Sequence, residues 1–145
     1  MVENKNIFVV DASVIFKWAV DEGGDTAKAI LLKEDAGNRK IHIIVPTFCF
    51  TEICNALGLK YPSIAMQFFS ELLVAGLDER QVSFDVANIA FQLMQQYSGI
   101  TFYDASYHAL AIHENATFIT ADEKYYKKTK KESRIMLLKD YGKKR

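Results

Sequence analysis

The sequence predicts an α/β protein in which a mostly parallel sheet lies between two layers of helices, a three-layer α/β/α sandwich. Three apolar, β-branched runs have the pattern of strands buried on both faces, at residues 6–10, 41–45 and 117–120. Helical segments alternate with these strands, which favours a parallel sheet. The chain has 145 residues, half of them apolar and a quarter charged, and we expect residues 1–145 to form a single domain.

The remaining elements follow from caps, breakers and hydrophobic spacing. Gly23 and Gly24 separate the first two helices, and Pro62 opens the fourth. Asp85 is predicted to cap the fifth helix, with a short strand at 81–84 before it. The helices are predicted at residues 12–20, 25–38, 47–60, 62–76, 86–98, 104–115 and 122–131, and a last strand at 134–138.

The charges are unevenly distributed along the chain. The 18 basic and 18 acidic residues cancel, which taken alone argues against a nucleic-acid partner, because phosphate binding depends on positive charge. Residues 124–145, however, carry ten basic and two acidic residues, a sum of +8, and residues 1–123 carry −8. The zero net charge is a cancellation between an acidic body and a basic C-terminal segment.

No segment of the sequence predicts export or membrane insertion. The apolar stretch at 7–10 is too short for a signal-peptide core, and no stretch approaches the roughly 18 uncharged apolar residues of a membrane span. We therefore expect a cytoplasmic protein without a membrane partner. The spacing of Cys49 and Cys54 fits neither a zinc site nor a redox motif, so both are predicted to be reduced core residues.

Four single acids stand in otherwise uncharged surroundings. Asp11 follows the first strand, Glu52 lies within a helix, Asp104 is the only charged residue between Asp85 and Glu114, and Asp122 follows seven uncharged residues. Taken singly, each Asp fits a helix N-cap, and Glu52 fits an ion pair with a distant Lys. Taken together, the four are better explained by convergence at the carboxyl edge of the sheet, where parallel α/β proteins bind ligands.

A convergence of four carboxylates requires a cation. Two carboxylates about 4 Å apart repel by about 4 kcal/mol at an effective dielectric constant of 20. Oxygen ligands without Cys or His favour Mg²⁺ or Mn²⁺ over zinc, and such ions suit the hydrolysis of a phosphodiester. No histidine is paired with a carboxylate in the sequence pattern, so we expect structural histidines and a water activated by metal and Asp.

Four blocks of sequence carry these acids: VVDASVIFKW, VPTFCFTEICNAL, TFYDASYHALA and TFITADEKYYKK, which together span residues 9–128. In order and spacing they resemble the motif blocks of PIN-domain nucleases, in particular the VapC-like toxins. The resemblance implies a Mg²⁺- or Mn²⁺-dependent endoribonuclease, a homodimer and a cognate antitoxin. It also implies that the metal-binding and catalytic residues are Asp11, Glu52, Asp104 and Asp122.

Three polar residues are expected to support these acids. Ser13, two residues after Asp11, and Thr120, at the end of a strand, are placed to form hydrogen bonds at the metal site. Asn55 lies three residues after Glu52 on the same helix face and is expected to orient that carboxylate. For Ser13 and Asn55 a local role, at a helix turn or on the surface, is an equal alternative.

The basic segment after Asp122 is expected to hold RNA, with lysines on the phosphates and tyrosine stacked on unpaired bases. The residues assigned to this role are Lys124, Tyr125, Lys127 and Lys128. A solvated helix face is the alternative, and residues 142–145 are expected to be a basic tail.

Other functions remain open to the sequence. An inert PIN-like binding module would be free to lose one of the four acids, and all are present. A housekeeping RNA-processing nuclease would carry the same site without an antitoxin. A phosphatase that uses Asp11 as its nucleophile usually needs a second acid two residues later, where this chain has Ser13.

Overall fold

Five parallel strands form one sheet at the centre of the protein. The computed structural model describes residues 6–143. The strands are β1 (Asn6–Val10), β2 (Ile41–Pro46), β3 (Asp78–Arg80), β4 (Thr117–Thr120) and β5 (Ile135–Leu137). Their order across the sheet is β3-β2-β1-β4-β5, and each neighbouring pair is parallel. The register places Val10 beside Ile119, so β1 and β4 end together.

Helices connect these strands on both faces of the sheet. They are α1 (Ala12–Phe16), α2 (Thr26–Gly37), α3 (Phe48–Lys60), α4 (Pro62–Leu73), α5 (Phe84–Gln96), α6 (Phe102–His113) and α7 (Glu123–Thr129), and a 3₁₀ turn at Leu138–Asp140 follows β5. From β1 to β3 the chain moves one way across the sheet, and from β3 to β5 it moves back past β1. Because parallel crossovers are right-handed, this reversal puts α1–α4 and α5–α7 on opposite faces, which confirms the predicted three-layer sandwich.

The middle of the sheet is buried because helices cover it from both faces. Val9, Val10 and Val45 are completely buried, as the continuous apolar runs predict. Helix α6 lies across β1, β2 and β4, and α5 packs along α6. Residues 105–111 of α6 are all buried between these layers, which makes α6 a fixed support for the residues in its first turn.

The third strand lies earlier in the chain than the sequence predicted. It occupies Asp78–Arg80, and the predicted segment 81–84 instead contains three residues without regular structure and the start of α5. The strand is an edge strand that pairs only with β2 among residues 6–143. An edge strand tolerates charged side chains, so its sequence, Asp-Glu-Arg, carries no hydrophobic signal.

Several helix ends also differ from their predicted positions; α4 ends at Leu73 and α7 at Thr129, each earlier than predicted. The cap of α5 is Ser83, whose hydroxyl accepts a hydrogen bond from the Val86 N–H, and Asp85 stands in the first turn instead. Helix α6 begins two residues early, after its cap Thr101. Helix α1 ends at Phe16, because the next residues tighten into turns with hydrogen bonds three residues apart.

The cysteines and the C-terminus agree only in part with expectation. Cys49 is buried and Cys54 is half-buried, and both are unpaired. The predicted basic tail begins at the exposed Gly142, and its last residues, 144 and 145, lie outside the described residues. Among residues 6–143, no helix combines the length and the hydrophobicity that a bilayer crossing requires.

Candidate active site

The four acids of the sequence pattern come from elements that end or begin at the carboxyl edge of the sheet. Asp11 directly follows β1, and Asp122 lies two residues after β4. Glu52 is in the second turn of α3, which follows β2, and Asp104 is in the first turn of α6. The chain reverses its direction across the sheet between β1 and β4, and a reversal of this kind leaves a crevice at the strand ends.

Both carboxylate oxygens of Asp11 are held by hydrogen bonds. Oδ1 accepts one from the Ser13 N–H at 3.1 Å, and Oδ2 accepts one from the Thr120 hydroxyl at 3.0 Å. The same Thr120 oxygen accepts a hydrogen bond from the Asp122 N–H at 3.0 Å. Thr120 therefore links Asp11 to Asp122, and it is the backbone rather than the exposed side chain of Ser13 that contacts Asp11.

Glu52 takes its hydrogen bond from a residue that the sequence reasoning missed. The hydroxyl of Tyr107, a buried residue of α6, donates to Glu52 Oε1 at 2.9 Å. Asn55, the residue expected in this role, is exposed and has no hydrogen bond to Glu52 among the described residues. The available signal for Tyr107 was its position one helical turn after Asp104, on the same face of α6.

Asp104 and Asp122 are placed at the starts of helices. The Thr101 hydroxyl accepts a hydrogen bond from the Asp104 N–H at 3.1 Å, which caps α6. Asp122 caps α7, because its Oδ1 accepts from the Tyr125 N–H at 3.0 Å. A helix N-terminus stabilises a negative charge, so these positions suit carboxylates that remain ionised.

The electrostatic environment of Asp11 includes the charges of two other acids of the pattern. Burial raises the pKa of Asp11 to about 6, the hydrogen bonds from the Ser13 N–H and the Thr120 hydroxyl oppose this rise, and the charges of Asp104 and Glu52 add to it. The folded protein therefore holds the proton of Asp11 more tightly than the unfolded chain does.

Two further acids are shifted in the same direction. Burial raises the pKa of Glu52, the Tyr107 hydroxyl opposes the rise, and the charge of Asp104 adds to it. Burial also raises the pKa of Asp104, with a further rise from the charge of Asp122 and an opposing hydrogen bond to Thr101. The four acids thus form one mutually repelling group.

Within the described part of the chain, no basic side chain forms an ion pair with this group. Asp11, Ser13 and Glu52 line a cleft of about 290 Å³, and Lys60 reaches the same cleft without forming an ion pair there. Lys60 was not singled out in the sequence, because a lysine in the last turn of a helix is common on any surface.

Two residues near the site belong to the core instead. His108 is completely buried, with Nδ1 2.9 Å from the Tyr125 hydroxyl and Nε2 3.0 Å from the Ser133 carbonyl oxygen. Burial lowers the pKa of His108. The prediction that Tyr125 stacks on RNA is wrong, because its side chain is only 3% exposed and its ring packs against Phe118. Tyr125 and Thr129 form the buried face of α7, and Lys124, Lys127 and Lys128 are exposed.

Comparison with known proteins identifies the family. The model of the PIN domain family matches residues 8–131, a range that includes all four acids. The chain belongs to the PIN domain family. Comparison with curated protein sequences found no match.

Solved structures share the same PIN fold. A toxin–antitoxin complex from Klebsiella pneumoniae has a TM-score of 0.67 at 15% identity, over 90% of this chain and 96% of that chain. VapBC2 from Rickettsia felis, bound to a promoter DNA fragment, has a TM-score of 0.64 at 18% identity, over 90% and 96%. The sarcin–ricin loop cleaving toxin VapC20 from Mycobacterium tuberculosis has a TM-score of 0.61 at 13% identity, over 79% and 87%. At these identities the similarity shows a common fold.

The donor set of this PIN domain fits a hard divalent cation, and PIN-domain nucleases generally depend on one. Within residues 6–143, no three acid, His or Cys side chains are close enough to hold one ion directly. Mg²⁺ usually keeps several of its waters and takes only one or two carboxylates, so a looser group of acids suits it. The residues available to hold such an ion, directly or through water, are Asp11, Glu52, Asp104 and Asp122.

We expect Asp11→Asn to stabilise the metal-free protein at neutral pH. Because burial raises the pKa of Asp11 from 3.8 to about 6, the folded state binds this proton more tightly than the unfolded state does. The resulting stability is complete below the unfolded pKa and is lost as the pH rises through about 6. At pH 7.5 the ionised carboxylate costs up to about 3 kcal/mol of unfolding free energy, and the substitution removes this cost.

Urea unfolding in the presence of a chelator, at pH 4 and pH 7.5, measures this difference. Glu34→Gln serves as the control, because it neutralises an exposed acid on α2. An Asp11→Asn protein that is no more stable than the wild type at pH 7.5 would contradict the proposed burial of this charge.

Proposed function

We propose that this PIN-domain nuclease is a Mg²⁺- or Mn²⁺-dependent endoribonuclease and the toxin of a toxin–antitoxin pair. The observation that carries the proposal is the group of four acids at the carboxyl edge of the sheet, without a basic partner among the described residues. Asp122 is exposed, whereas Asp11, Glu52 and Asp104 are at least half-buried. Burying acids without an ion-pair partner lowers stability, and a purely structural domain gains nothing from that loss. The family match supports a nuclease, and the donor set supports a hard metal ion.

Each residue of the site has a task that follows from its contacts. Thr120 forms hydrogen bonds with one oxygen of Asp11 and with the backbone of Asp122, and so fixes the distance between the ends of β1 and β4. Tyr107 donates a hydrogen bond to one oxygen of Glu52 and so orients that carboxylate. A bound divalent ion supplies charge neutralisation at the phosphate and a water of lowered pKa.

The described histidines are not available as a general base at this site. Both ring nitrogens of His108 are engaged in the core. His42 contacts Asp78 on the edge strand at 3.0 Å, and His113 lies nine residues after Asp104, roughly 14 Å along the same helix. Proton transfer from the attacking water therefore falls to carboxylates or solvent.

The exposed lysines of α7 support a nucleic acid as the substrate. This helix begins directly after Asp122, and Lys124, Lys127 and Lys128 are all exposed. Cations beside a phosphodiester site can hold the nucleic-acid backbone by neutralising phosphates. The acids would bind metal while the lysines bind phosphate, which accounts for part of the opposite charges of the two parts of the chain.

We expect the purified protein to cleave RNA in Mn²⁺ and to lose this activity when a chelator is added. Asp104→Asn should lower the cleavage rate roughly 100-fold or more, because it removes a ligand that supplies several kcal/mol of transition-state stabilisation. Mn²⁺ at about 100 times its Kd should raise the unfolding free energy of the wild type by about 2.7 kcal/mol, and that of the variant by less.

Gel analysis of a labelled RNA and thermal unfolding with added Mn²⁺ test these two expectations. Asp85→Asn is the matched control, because Asp85 is an exposed acid in the first turn of another helix. It should retain both the cleavage and the Mn²⁺ stabilisation. Cleavage that survives chelation, or that persists in Asp104→Asn, would rule out the proposed site.

We expect the combined replacement of Lys124, Lys127 and Lys128 by Gln to weaken RNA binding and to flatten its salt dependence. For single strands the slope of log K against log salt changes by about 0.7 for each lost phosphate contact, so three contacts change it by about 2. Fluorescence anisotropy over a series of salt concentrations measures the slope.

A second triple variant provides the control for charge alone. Lys33, Arg39 and Lys40 belong to α2 and to the turn before β2, at the opposite edge of the sheet from the acids. Replacing them by Gln changes the net charge equally and should leave most of the slope intact. Equal effects in the two variants would mean that α7 presents only a solvated face.

A protein partner is supported by the structural neighbours and by the surface. Solved neighbours include toxin–antitoxin complexes, among them FitAcB from Neisseria gonorrhoeae at a TM-score of 0.61 and 14% identity. Helix α4 and the residue after it expose Met66, Leu73 and Val74 to 74%, 65% and 84%. Apolar surface of this kind is typical of a protein interface, and we propose that an antitoxin and a second copy of the chain use such surface.

We expect induction of the wild-type protein in a bacterial host to arrest growth, and induction of Asp104→Asn to leave growth unaffected. The product of the adjacent reading frame should copurify with both proteins and relieve the arrest. Light scattering should give a mass of twice 16.5 kDa for a homodimer. Normal growth during active RNA cleavage would favour the housekeeping nuclease instead.

A further inference from the structure

Four aromatic rings form a continuous series from the core to the rim of the acid group. Phe118 stacks on Tyr107 with their ring centroids 5.8 Å apart, and Tyr107 meets the ring of Phe48 edge-on at 5.2 Å. Phe48 in turn meets Tyr103 edge-on at 5.4 Å. The first two rings are buried, Phe48 is half-buried, and Tyr103 is 59% exposed. The buried rings therefore support the exposed ring of Tyr103 from the side of the core.

The exposed end of this series lies beside the acids. Tyr103 immediately precedes Asp104 in the first turn of α6. Phe48 lies one helical turn before Glu52 on α3, and Tyr107 donates its hydroxyl to Glu52. Tyr103 is thus attached, through its backbone and through its neighbouring ring, to the two elements that present Asp104 and Glu52.

Neither the core nor the acid group explains why Tyr103 is exposed. Its hydroxyl has no hydrogen bond within residues 6–143, and its ring contact with Phe48 leaves most of the side chain in water. An exposed aromatic face beside a phosphodiester site is suited to an unpaired base, because every base has a π-face that can stack on it. The support from Phe48 lowers the entropy that the ring loses when a base binds.

We propose that Tyr103 stacks on an unpaired base of the RNA next to the phosphate that is cleaved, and so sets the position of the substrate in the site. This inference rests on the proposed endoribonuclease function. Tyr103 is a substrate-positioning residue, since it binds a base and takes no part in the chemistry. It takes the role for which the buried Tyr125 is unavailable.

A series of substitutions separates stacking from apolar bulk. On a short unpaired RNA in Mn²⁺, Tyr103→Phe should retain the wild-type KM, because it retains the ring. Tyr103→Leu and Tyr103→Ala should raise KM roughly 5- to 100-fold with a smaller effect on kcat, the range expected for the loss of one stacked base. Thermal unfolding of each variant checks that the fold is intact, and Phe84→Ala, which truncates an aromatic ring that is 86% exposed on α5, is the control.

Removing the base from the substrate provides the complementary measurement. RNAs that each lack one base near the cleavage position should include one that the wild type binds as weakly as Tyr103→Ala binds intact RNA. On that RNA, Tyr103→Ala should bind no more weakly than the wild type, because the contact is already absent. The abasic position at which the wild type and Tyr103→Ala have equal KM values identifies the base that stacks on Tyr103.

Other results overturn the inference. Equal KM values for Tyr103→Leu and Tyr103→Phe would show that only bulk is needed, and additive losses at every abasic position would show that no base contacts Tyr103. A change in particle mass for Tyr103→Ala with an unchanged KM would assign the ring to self-association. Failure of the wild type to cleave RNA in Mn²⁺ would instead contradict the proposed function itself, and this inference with it.

Discussion

Electrostatic repulsion among four carboxylates at the carboxyl edge of the buried sheet is the constraint on which the rest of the structure depends. Asp11 cannot move away from the core, because it continues a strand that is buried on both faces. Its pKa is raised by burial, and the charges of Glu52 and Asp104 raise it further. The local structure lowers the cost with hydrogen bonds and helix N-termini, and it supplies no basic partner among the described residues. The remaining negative charge is uncompensated, and a bound divalent cation would neutralise it.

The same side chains serve both the fold and the site. Asp11 and Asp122 each cap a helix and each stand at the carboxyl edge of the sheet. The Thr120 hydroxyl joins them, because it donates a hydrogen bond to Asp11 and accepts one from the Asp122 N–H. Because these contacts also stabilise the starts of α1 and α7, the positions of the carboxylates are determined by the same interactions that hold the fold. A low sequence identity to neighbours with this fold is compatible with such a site, since few residues are needed to build it.

The aromatic series extends this arrangement towards the substrate. The stacked and edge-on rings behind Tyr103 connect the exposed surface to Phe118 in β4. Tyr107 belongs to the series and also holds Glu52, so a carboxylate and an exposed ring share one support. A rigid support of this kind favours positioning, because the groups that meet the substrate lose little freedom when it binds.

The fold class could be predicted from the sequence, and the same patterns singled out the four acids that we propose as the site. Continuous apolar runs have one stable location, inside a parallel sheet, and a lone acid within apolar surroundings is conspicuous for the cost of its burial. The tertiary structure alone decided which partners these acids have. Asn55 and Tyr107 were both one helical turn from an acid, and only the meeting of the N-terminal turns of α3 and α6 at the carboxyl edge of the sheet placed the Tyr107 hydroxyl on Glu52. Likewise, only the docking of α7 buried Tyr125. Local patterns report the environment that a residue requires, whereas contacts between elements distant in sequence depend on how helices pack, which short-range spacing does not encode.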